Sequence, residues 1–347
     1  FTRASAATEV GSDGLIRYAP ENLALQSENF GTTWVNNTGN ALTLNDSLSP
    51  TGTLTADRID FPATAATNLL KQIQQSFSGA VAGNGPVTAS VWLRTVSGTS
   101  TVYLTLLDGG PPWQRVHVAC NVTTEWTRFS VTLNTPTISL FMVIGPDTRT
   151  TNGTPAQPAV QDAASVYAWG AQLERFSSAR TYIPTTTAAV FGARFDHDPI
   201  TLACKGLLIE ESRTNTLIQS NDFANAAWAK SNITIGSTTN LSPDGSNNAT
   251  LLIAGTASVS WIFRSSITAS GSTVTFFAKS SGKRWAVVDA SSGSGTAGVW
   301  FDLQNGVVGT VASGYTASIQ QFPSGFYRCR VTYPSSGAGT FCVIGVS

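Results

Sequence analysis

Charge is scarce in this chain. Asp, Glu, Lys and Arg make up 12% of its 347 residues, split evenly into 20 acidic and 20 basic side chains, against about a quarter in an ordinary soluble domain. A neutral chain without basic clusters offers no electrostatic footprint to nucleic acid or to an anionic bilayer, so neither partner is expected. No apolar run reaches the roughly eighteen residues that a membrane-crossing helix needs. No basic-then-apolar leader opens the chain, and the first residue is Phe1; the expectation is that sequence has been lost upstream. Methionine occurs once, and long stretches rich in Glu, Lys, Leu and Ala are missing, which argues against helices.

Chemistry-bearing motifs are also few. The four cysteines, Cys120, Cys204, Cys329 and Cys342, show no CxxC spacing, which disfavours zinc. Cys329 and Cys342 fall on strands that read as neighbours, so a bridge between them is one reading and buried free thiols are the other. The two histidines are His117 and His197. In RFDHDP, Asp196, His197 and Asp198 are adjacent on an extended chain and point alternately to opposite faces; a polar turn bonding backbone amides before Pro199 fits better than a metal site. Calcium is the one ion to consider in oxygen-rich loops, but Asp13, Asp57, Asp60, Asp289 and Asp302 are scattered without EF-hand spacing, so no cofactor is expected. No GxSxG elbow, P-loop or HExxH is present. Glu210 and Glu211, adjacent on an expected strand, face opposite ways and do not flank a glycosidic bond as paired carboxylates must. The chain is therefore read as a non-enzyme, with a polysaccharide-cleaving enzyme as the weakest alternative.

What the chain does have is a copy of itself. GLIRYAPENLALQSENFGTTW near the amino terminus is answered by GLLIEESRTNTLIQSNDFANAAW, so Gly14, Asn22, Gln26, Ser27, Phe30 and Trp34 find counterparts in Gly206, Asn215, Gln219, Ser220, Phe223 and Trp228. Ser49-Pro50 with Gly52 recurs as Ser242-Pro243 with Gly245, WTRFSVT as FYRCRVT, and Phe141, Val143, Ile144 and Gly145 as Phe341, Val343, Ile344 and Gly345. Self-similarity of this kind marks one structural unit used twice, each copy about 150 to 180 residues long, the size of an all-β domain.

Segments such as VTASVWLR, TVYLTLL, VHVACNV and ISLFMVI, and STVTFFAK, RWAVVDA, VWFDL and TFCVIGV in the second copy, run or alternate apolar between Gly, Pro, Asn and Ser clusters. These are strand signatures, and their spacing points to two tandem jelly-roll β-sandwiches, an all-β fold. The expected divisions are a leading segment 1–21, a first module 22–183, a β-ribbon linker 184–214 and a second module 215–347, with a turn of helix at Asn29–Trp34 and Asp222–Trp228. The first copy runs past its Phe141–Gly145 strand to VYAWGAQLERFSSARTYIPT, whereas nothing corresponding follows Gly345. A sandwich without that strand exposes an unpaired edge, so the polypeptide is expected to continue.

The combination of RFDHDP, KGLLIEESRTN, LIQSNDF, SPDG, WFDLQNG, GFYRCRVT and WGAQLE with TYIPT resembles modules of bacteriophage and prophage virion proteins: head spikes, head fibres and tail fibres with lectin-like or carbohydrate-binding modules. The resemblance covers nearly the whole chain and departs from the pattern at the second copy's closing strand and at an amino-terminal segment without its own RFDHDP. It implies an appendage on the virion surface, a homo-oligomer and often a trimer, attached to capsid, collar or tail proteins through segments outside this chain, and host-surface glycan as ligand. The alternative is a purely structural decoration that binds no glycan.

A glycan site on a sandwich needs a flat aromatic face with polar groups beside it. Trp113 follows a GGPP turn, Trp261 and Trp285 begin strands after polar loops, and Trp300 lies between the inward-reading Val299 and Phe301 with Asp302 nearby. These five, Trp113, Trp261, Trp285, Trp300 and Asp302, are the carbohydrate-binding candidates. Trp34, Trp126, Trp169 and Trp228 lie in the repeated framework and are expected in the core.

Overall fold

The computed structural model describes all residues except 1–2, 38–39, 66–70, 79–84, 111–112, 135, 137–138, 150–156, 159, 212, 238–239, 257–259, 266–271, 290–297, 334–340 and 347, and the backbone alone at 78, 265, 289, 341–343 and 346. The chain forms two compact units, Phe1–Thr8 with Tyr18–Arg194, and Glu9–Arg17 with Phe195–Ser347; segment 1–21 is thus shared between them. Both are antiparallel β-sandwiches, and among the described residues the one helical element is a 3-10 turn at Pro323–Gly325.

In the first unit one sheet, here the platform sheet, runs Arg115–Val122, Ser100–Asp108, Ser139–Ile144, Ile73–Ser78 and Val35–Asn36 in spatial order. The backing sheet runs Thr127–Leu133, Val87–Thr95, Ala164–Glu174, Leu54–Phe61 and Ala41–Leu48. Apart from two hairpins, Ala41–Leu48 with Leu54–Phe61 and Ser100–Asp108 with Arg115–Val122, successive strands of the two sheets cross from one to the other, as in a jelly roll. Period-two patterning decides which face is inside: Val102, Leu104 and Leu106 from the platform meet Val87, Ala89, Val91 and Leu93 from the backing sheet, all no more than 1% exposed.

The second unit repeats this plan. Its platform sheet runs Ala229–Ser231, Ser260–Ser265, Phe341–Val346, Trp285–Asp289, Val299–Asp302 and Val307–Val308. Behind it are a three-stranded sheet, Thr273–Ala278, Tyr327–Thr332 and Thr316–Gln321, and a separate pair, Ile233–Ile235 with Leu252–Ala254. The core collects Ile262, Val288, Val299, Phe301, Val331 and Ile344.

The duplicated motifs fold alike to the level of single bonds. Asn22 Oδ1 accepts from the Ala24 amide and Asn215 Oδ1 from the Leu217 amide, both at 3.0 Å. Gln26 and Gln219 share a left-handed backbone, φ 51° and 58°, and the indole N–H of Trp34 or Trp228 closes that turn on carbonyls at Leu25 or Gln219. Gly52 and Gly245 donate to Ser49 and Ser242 carbonyls at 3.0 Å in each copy with φ 84° and 81°, a conformation that costs a residue with a Cβ about 1 kcal/mol or more.

Other local expectations are corrected. Asn29–Trp34 and Asp222–Trp228 are turns rather than helix; Asn29 and Asp222 side chains accept amides two residues on, satisfying the backbone locally so that no helical ladder is needed. Trp34, Trp169 and Trp228 are buried, but Trp126 is half-exposed, with its N–H on the Leu48 carbonyl and Arg94 over its ring at 5.3 Å. Phe195–His197 pairs with Cys204–Leu207 as the anticipated two-stranded ribbon. That strand ends before Glu210 and Glu211, which are exposed; Glu211 pairs with Arg213. Cys329 lies in the three-stranded sheet and Cys342 in the platform sheet, so their strands are not neighbours, and Cys329 is a buried free thiol.

Burial pushes the Cys120 and Cys329 thiols up to about 12, whereas Cys204 is exposed. Thiolate is the reactive form. Brief alkylation of the native protein followed by peptide mass mapping should therefore label Cys204 fully and leave Cys120 and Cys329 unmodified until denaturant is added.

Candidate carbohydrate-binding face

Strand register brings three of the sequence candidates onto one surface. In the second unit's platform sheet, Trp261 lies opposite Gly345, Gly345 opposite Val287, and Val287 opposite Trp300. Residues directly opposite in an antiparallel sheet share a face, so Trp261 and Trp300 stand in one row, three strands or about 14 Å apart. Trp285, two residues before Val287, shares that face, since alternate residues point the same way. The opposite phase, Ala286, Val288, Val299 and Phe301, fills the core. All three indoles are half-exposed.

Packing fixes the cluster. The Trp285 and Trp300 rings meet edge to face, centroids 6.5 Å apart at 80°, the arrangement their quadrupoles favour. Gly309, whose amide bonds the Trp300 carbonyl, leaves room for the indole: a Cβ there would come within 2.7 Å of Trp285. Arg284 caps the Trp285 ring at 5.1 Å and bonds Asp302 Oδ2 through Nε and Nη2 at 2.9 and 2.6 Å.

Asp302 has another role than the one its position suggested. It is 1% exposed, and its carboxylate also accepts the Gln304 and Asn305 amides and the Asn305 side chain. Every acceptor site is taken, so the carboxylate holds Arg284 in place rather than offering itself to a ligand. Arg284, about half exposed at its side chain, is the polar group beside the aromatic face that the sequence did not single out. The Arg284 guanidinium, seconded by the Asn305 and Gln304 donors, holds the Asp302 carboxyl well below the usual carboxylate range. A depressed folded value means that this stabilisation is present above the unfolded value of about 4 and lost as pH falls through the folded one. Melting curves between about pH 2 and 5 should show a steep acid loss in the native protein, and Asp302→Asn, already weakened at neutral pH, should show a flatter one.

Trp113 stands apart, in the first unit. It is 39% exposed and its φ of 55° is unusual for a bulky residue. The first unit's counterpart of the aromatic face is different in kind. Aligning Ile144 with Ile344 and following the register places Gln72 where the second unit has Trp261, Thr101 at Trp285 and Ala119 at Trp300. That face instead carries Tyr103 against His117, ring centroids 5.5 Å apart, and Arg115, whose side chain is fully buried. Arg115 donates to Asp147 Oδ2 at 3.1 Å and to the Arg149 carbonyl at 3.0 Å, and Arg149 clasps the same carboxylate. Gln157 joins the network to Thr105. Burial pulls the Arg115 pKa and, with Arg115 nearby, the His117 pKa down.

For metal binding, the described residues gather no group of three or more His, Cys, Asp or Glu side chains. Around Asp196–Asp198 the acidic groups serve the backbone: Asp196 accepts from the Val10 amide, and Asp198 from the Ile200 and Thr201 amides, which with Lys205 holds the Asp198 carboxyl at about 2.

No protein-family model matches the chain, and no curated protein matches it. Among solved structures it is similar to the CBM22-1 xylan-binding domain of Paenibacillus barcinonensis Xyn10C, at 15% identity over 50% of this chain and 100% of that one with a TM-score of 0.33. The CBM22-1–CBM22-2 tandem of the same protein aligns with 99% of this chain and 92% of its own length at 12% identity and a TM-score of 0.33. The enzymatically active domain of bacteriophage CBA120 tailspike protein 4 aligns at 12% identity over 45% of this chain and 21% of its own, TM-score 0.31. Likenesses this distant carry no functional argument. The chain is a tandem of jelly-roll β-sandwiches, and its function is read from its own surfaces.

Proposed function

We propose that the second unit binds saccharide non-catalytically on the outer face of its platform sheet, by stacking sugar rings on Trp261, Trp285 and Trp300 with Arg284 as hydrogen-bond donor. The observation that carries this reading is the contrast between the two copies. Three half-exposed indoles share one face of the second sandwich, and the equivalent positions of the first are Gln72, Thr101 and Ala119. A sandwich of this type folds without them, so folding alone does not account for three large apolar rings at the surface. The one described carboxylate on the face, Asp302, is fully occupied and supplies no acid or base.

The biological setting follows from the resemblance of the sequence motifs to phage modules: a virion appendage, a head spike or head or tail fibre, that adheres to host-surface glycan. Several copies in a homo-oligomer would raise weak single-site affinity to avidity. The test is a glycan array carrying bacterial capsule and lipopolysaccharide fragments, probed with the protein and with Trp300→Ala and Trp113→Ala. Selective binding that disappears in Trp300→Ala and persists in Trp113→Ala is expected. Silence across the array from folded protein would favour a purely structural decoration, and loss only in Trp113→Ala would move the site to the first unit.

A further inference from the structure

The two sandwiches also differ on the outer face of the backing sheet. In the first unit Thr127–Leu133 is an edge strand among the described residues. Its counterpart, Tyr327–Thr332, is a central strand, because the second unit adds Thr316–Gln321 beyond it. The matched motifs WTRFSVT and FYRCRVT align Arg128 with Arg328, Ser130 with Arg330 and Thr132 with Thr332. In a chain where charge is scarce, the second copy thus carries an additional strand and an additional arginine side by side.

Register puts these groups on one surface. Ser318 lies opposite Arg330, Thr316 opposite Thr332 and Gln320 opposite Arg328, while Thr275 flanks Arg330 from the other side. Residues directly opposite share a face. The alternate set, Val274, Phe276, Cys329 and Val331, fills the core, so the polar set is outside. Thr316, Ser318, Gln320, Arg328 and Arg330 are exposed, and Thr316, Ala317, Ser318, Arg330 and Thr332 line a shallow depression of about 270 Å³. That exposure belongs to the face itself: in the first unit, with Ala164–Glu174 and the segment after it in place, Ser130 is exposed as well. The arginines of the two copies are used differently. Arg128 donates to Ser90 Oγ at 2.9 Å and to the Arg180 carbonyl at 2.6 Å. Arg330 makes no ion pair or hydrogen bond among the described residues. Its like-charged neighbour Arg328 stands about 7 Å along the strand. Desolvation by the surrounding protein, and then the Arg330 charge, pull the Arg328 pKa down, with Glu210 and Asp196 acting in the opposite sense.

We infer that this face is an anion site: Arg330, with the hydroxyls of Thr316, Ser318 and Thr332 around it and Arg328 beside it, binds a carboxylate or phosphate group carried by an acidic saccharide. The guanidinium fork matches either group through two parallel hydrogen bonds, and the hydroxyls, which both donate and accept, suit the remaining oxygens and the sugar's own hydroxyls. A bound anion would also relieve the repulsion between the two arginines. A nucleic acid is a poorer match, since its affinity rests on neutralising many phosphates and the chain has 20 acidic against 20 basic side chains. The inference is independent of the aromatic face, which lies on the other sheet.

The probes are tetragalacturonate, for a carboxylate, and pentamannose phosphate, for a phosphate, titrated calorimetrically into the full chain. Methyl-esterified tetragalacturonate and dephosphorylated pentamannose are their uncharged controls. The expected result is saturable binding of at least one acidic probe that weakens several-fold as salt rises from about 0.05 to 0.5 M, and the preferred probe tells carboxylate from phosphate. Arg330→Gln, at an exposed position where the fold is retained, should weaken this binding by about tenfold or more. Ser318→Ala should weaken it less, and Trp300→Ala should leave it unchanged, which separates this site from the aromatic face. The controls should show no binding that depends on Arg330. Absence of binding by both acidic probes, binding indifferent to Arg330→Gln, or Arg330-dependent binding that the uncharged controls share would each overturn the inference, as would tighter Arg330-dependent binding of a single-stranded oligonucleotide.

Discussion

Replacing Trp300 with alanine is expected to cost about 2 kcal/mol of saccharide affinity, close to thirtyfold in Kd, the scale of an aromatic anchor at the centre of a binding surface. Two effects contribute. The ring supplies stacking area itself, and it supports Trp285, which packs edge to face against it at 6.5 Å. Trp285→Ala should have a similar effect, since it also frees Arg284, which caps that ring at 5.1 Å. The two changes act on one packed unit, so their double substitution should cost less than their sum. Trp261 lies three strands away, beyond the about 7–10 Å within which substitutions usually couple, and Trp261→Ala combined with Trp300→Ala should be nearly additive. Isothermal titration of the three single and two double variants checks this pattern.

The largest effect on stability is expected in the other unit. Asp147 is fully buried and lies between Arg115 and Arg149. Asp147→Ala would leave the buried Arg115 guanidinium without its counter-charge, and breaking such a pair typically costs about 3–5 kcal/mol. In denaturant titration the first unit's transition should move to markedly lower denaturant while the second unit's stays in place. Removing both charges with Arg115→Met and Asp147→Leu together should recover most of the loss, because desolvating a pair consumes much of what its attraction returns.

Much of this architecture was legible in the amino-acid sequence, for physical reasons that differ by residue. Strand phase follows from alternation, so Val299 and Phe301 read inward and Trp300 outward from the residue pattern alone. The repeat pairs Gln26 with Gln219, and both take the same left-handed backbone, although the sequence alone suggested helix a few residues further on, at Asn29–Trp34 and Asp222–Trp228. What sequence does not carry is which distant strands meet. The row from Trp261 to Trp300 crosses strands separated by long stretches of chain, and only the register shows that they share a face. Asp302 looked like a ligand group because its partner, Arg284, lies 18 residues away on a strand-leading loop. Cys329 and Cys342, close in sequence, read as lying on adjacent strands, whereas the chain crosses from the three-stranded sheet to the platform sheet between them. Trp126 read as core by analogy with its framework neighbours, but it covers the Leu48 carbonyl at the surface.

The measurement that bears most directly on the account exchanges the face of one copy for that of the other. Trp261→Gln, Trp285→Thr and Trp300→Ala together give the second unit the residues that the first unit already folds with at the equivalent positions. The triple variant should keep the native β-rich circular dichroism and cooperative unfolding and lose all measurable binding to the saccharide found on the array. Unchanged affinity in a folded triple variant would contradict the account and place the binding surface elsewhere on the molecule.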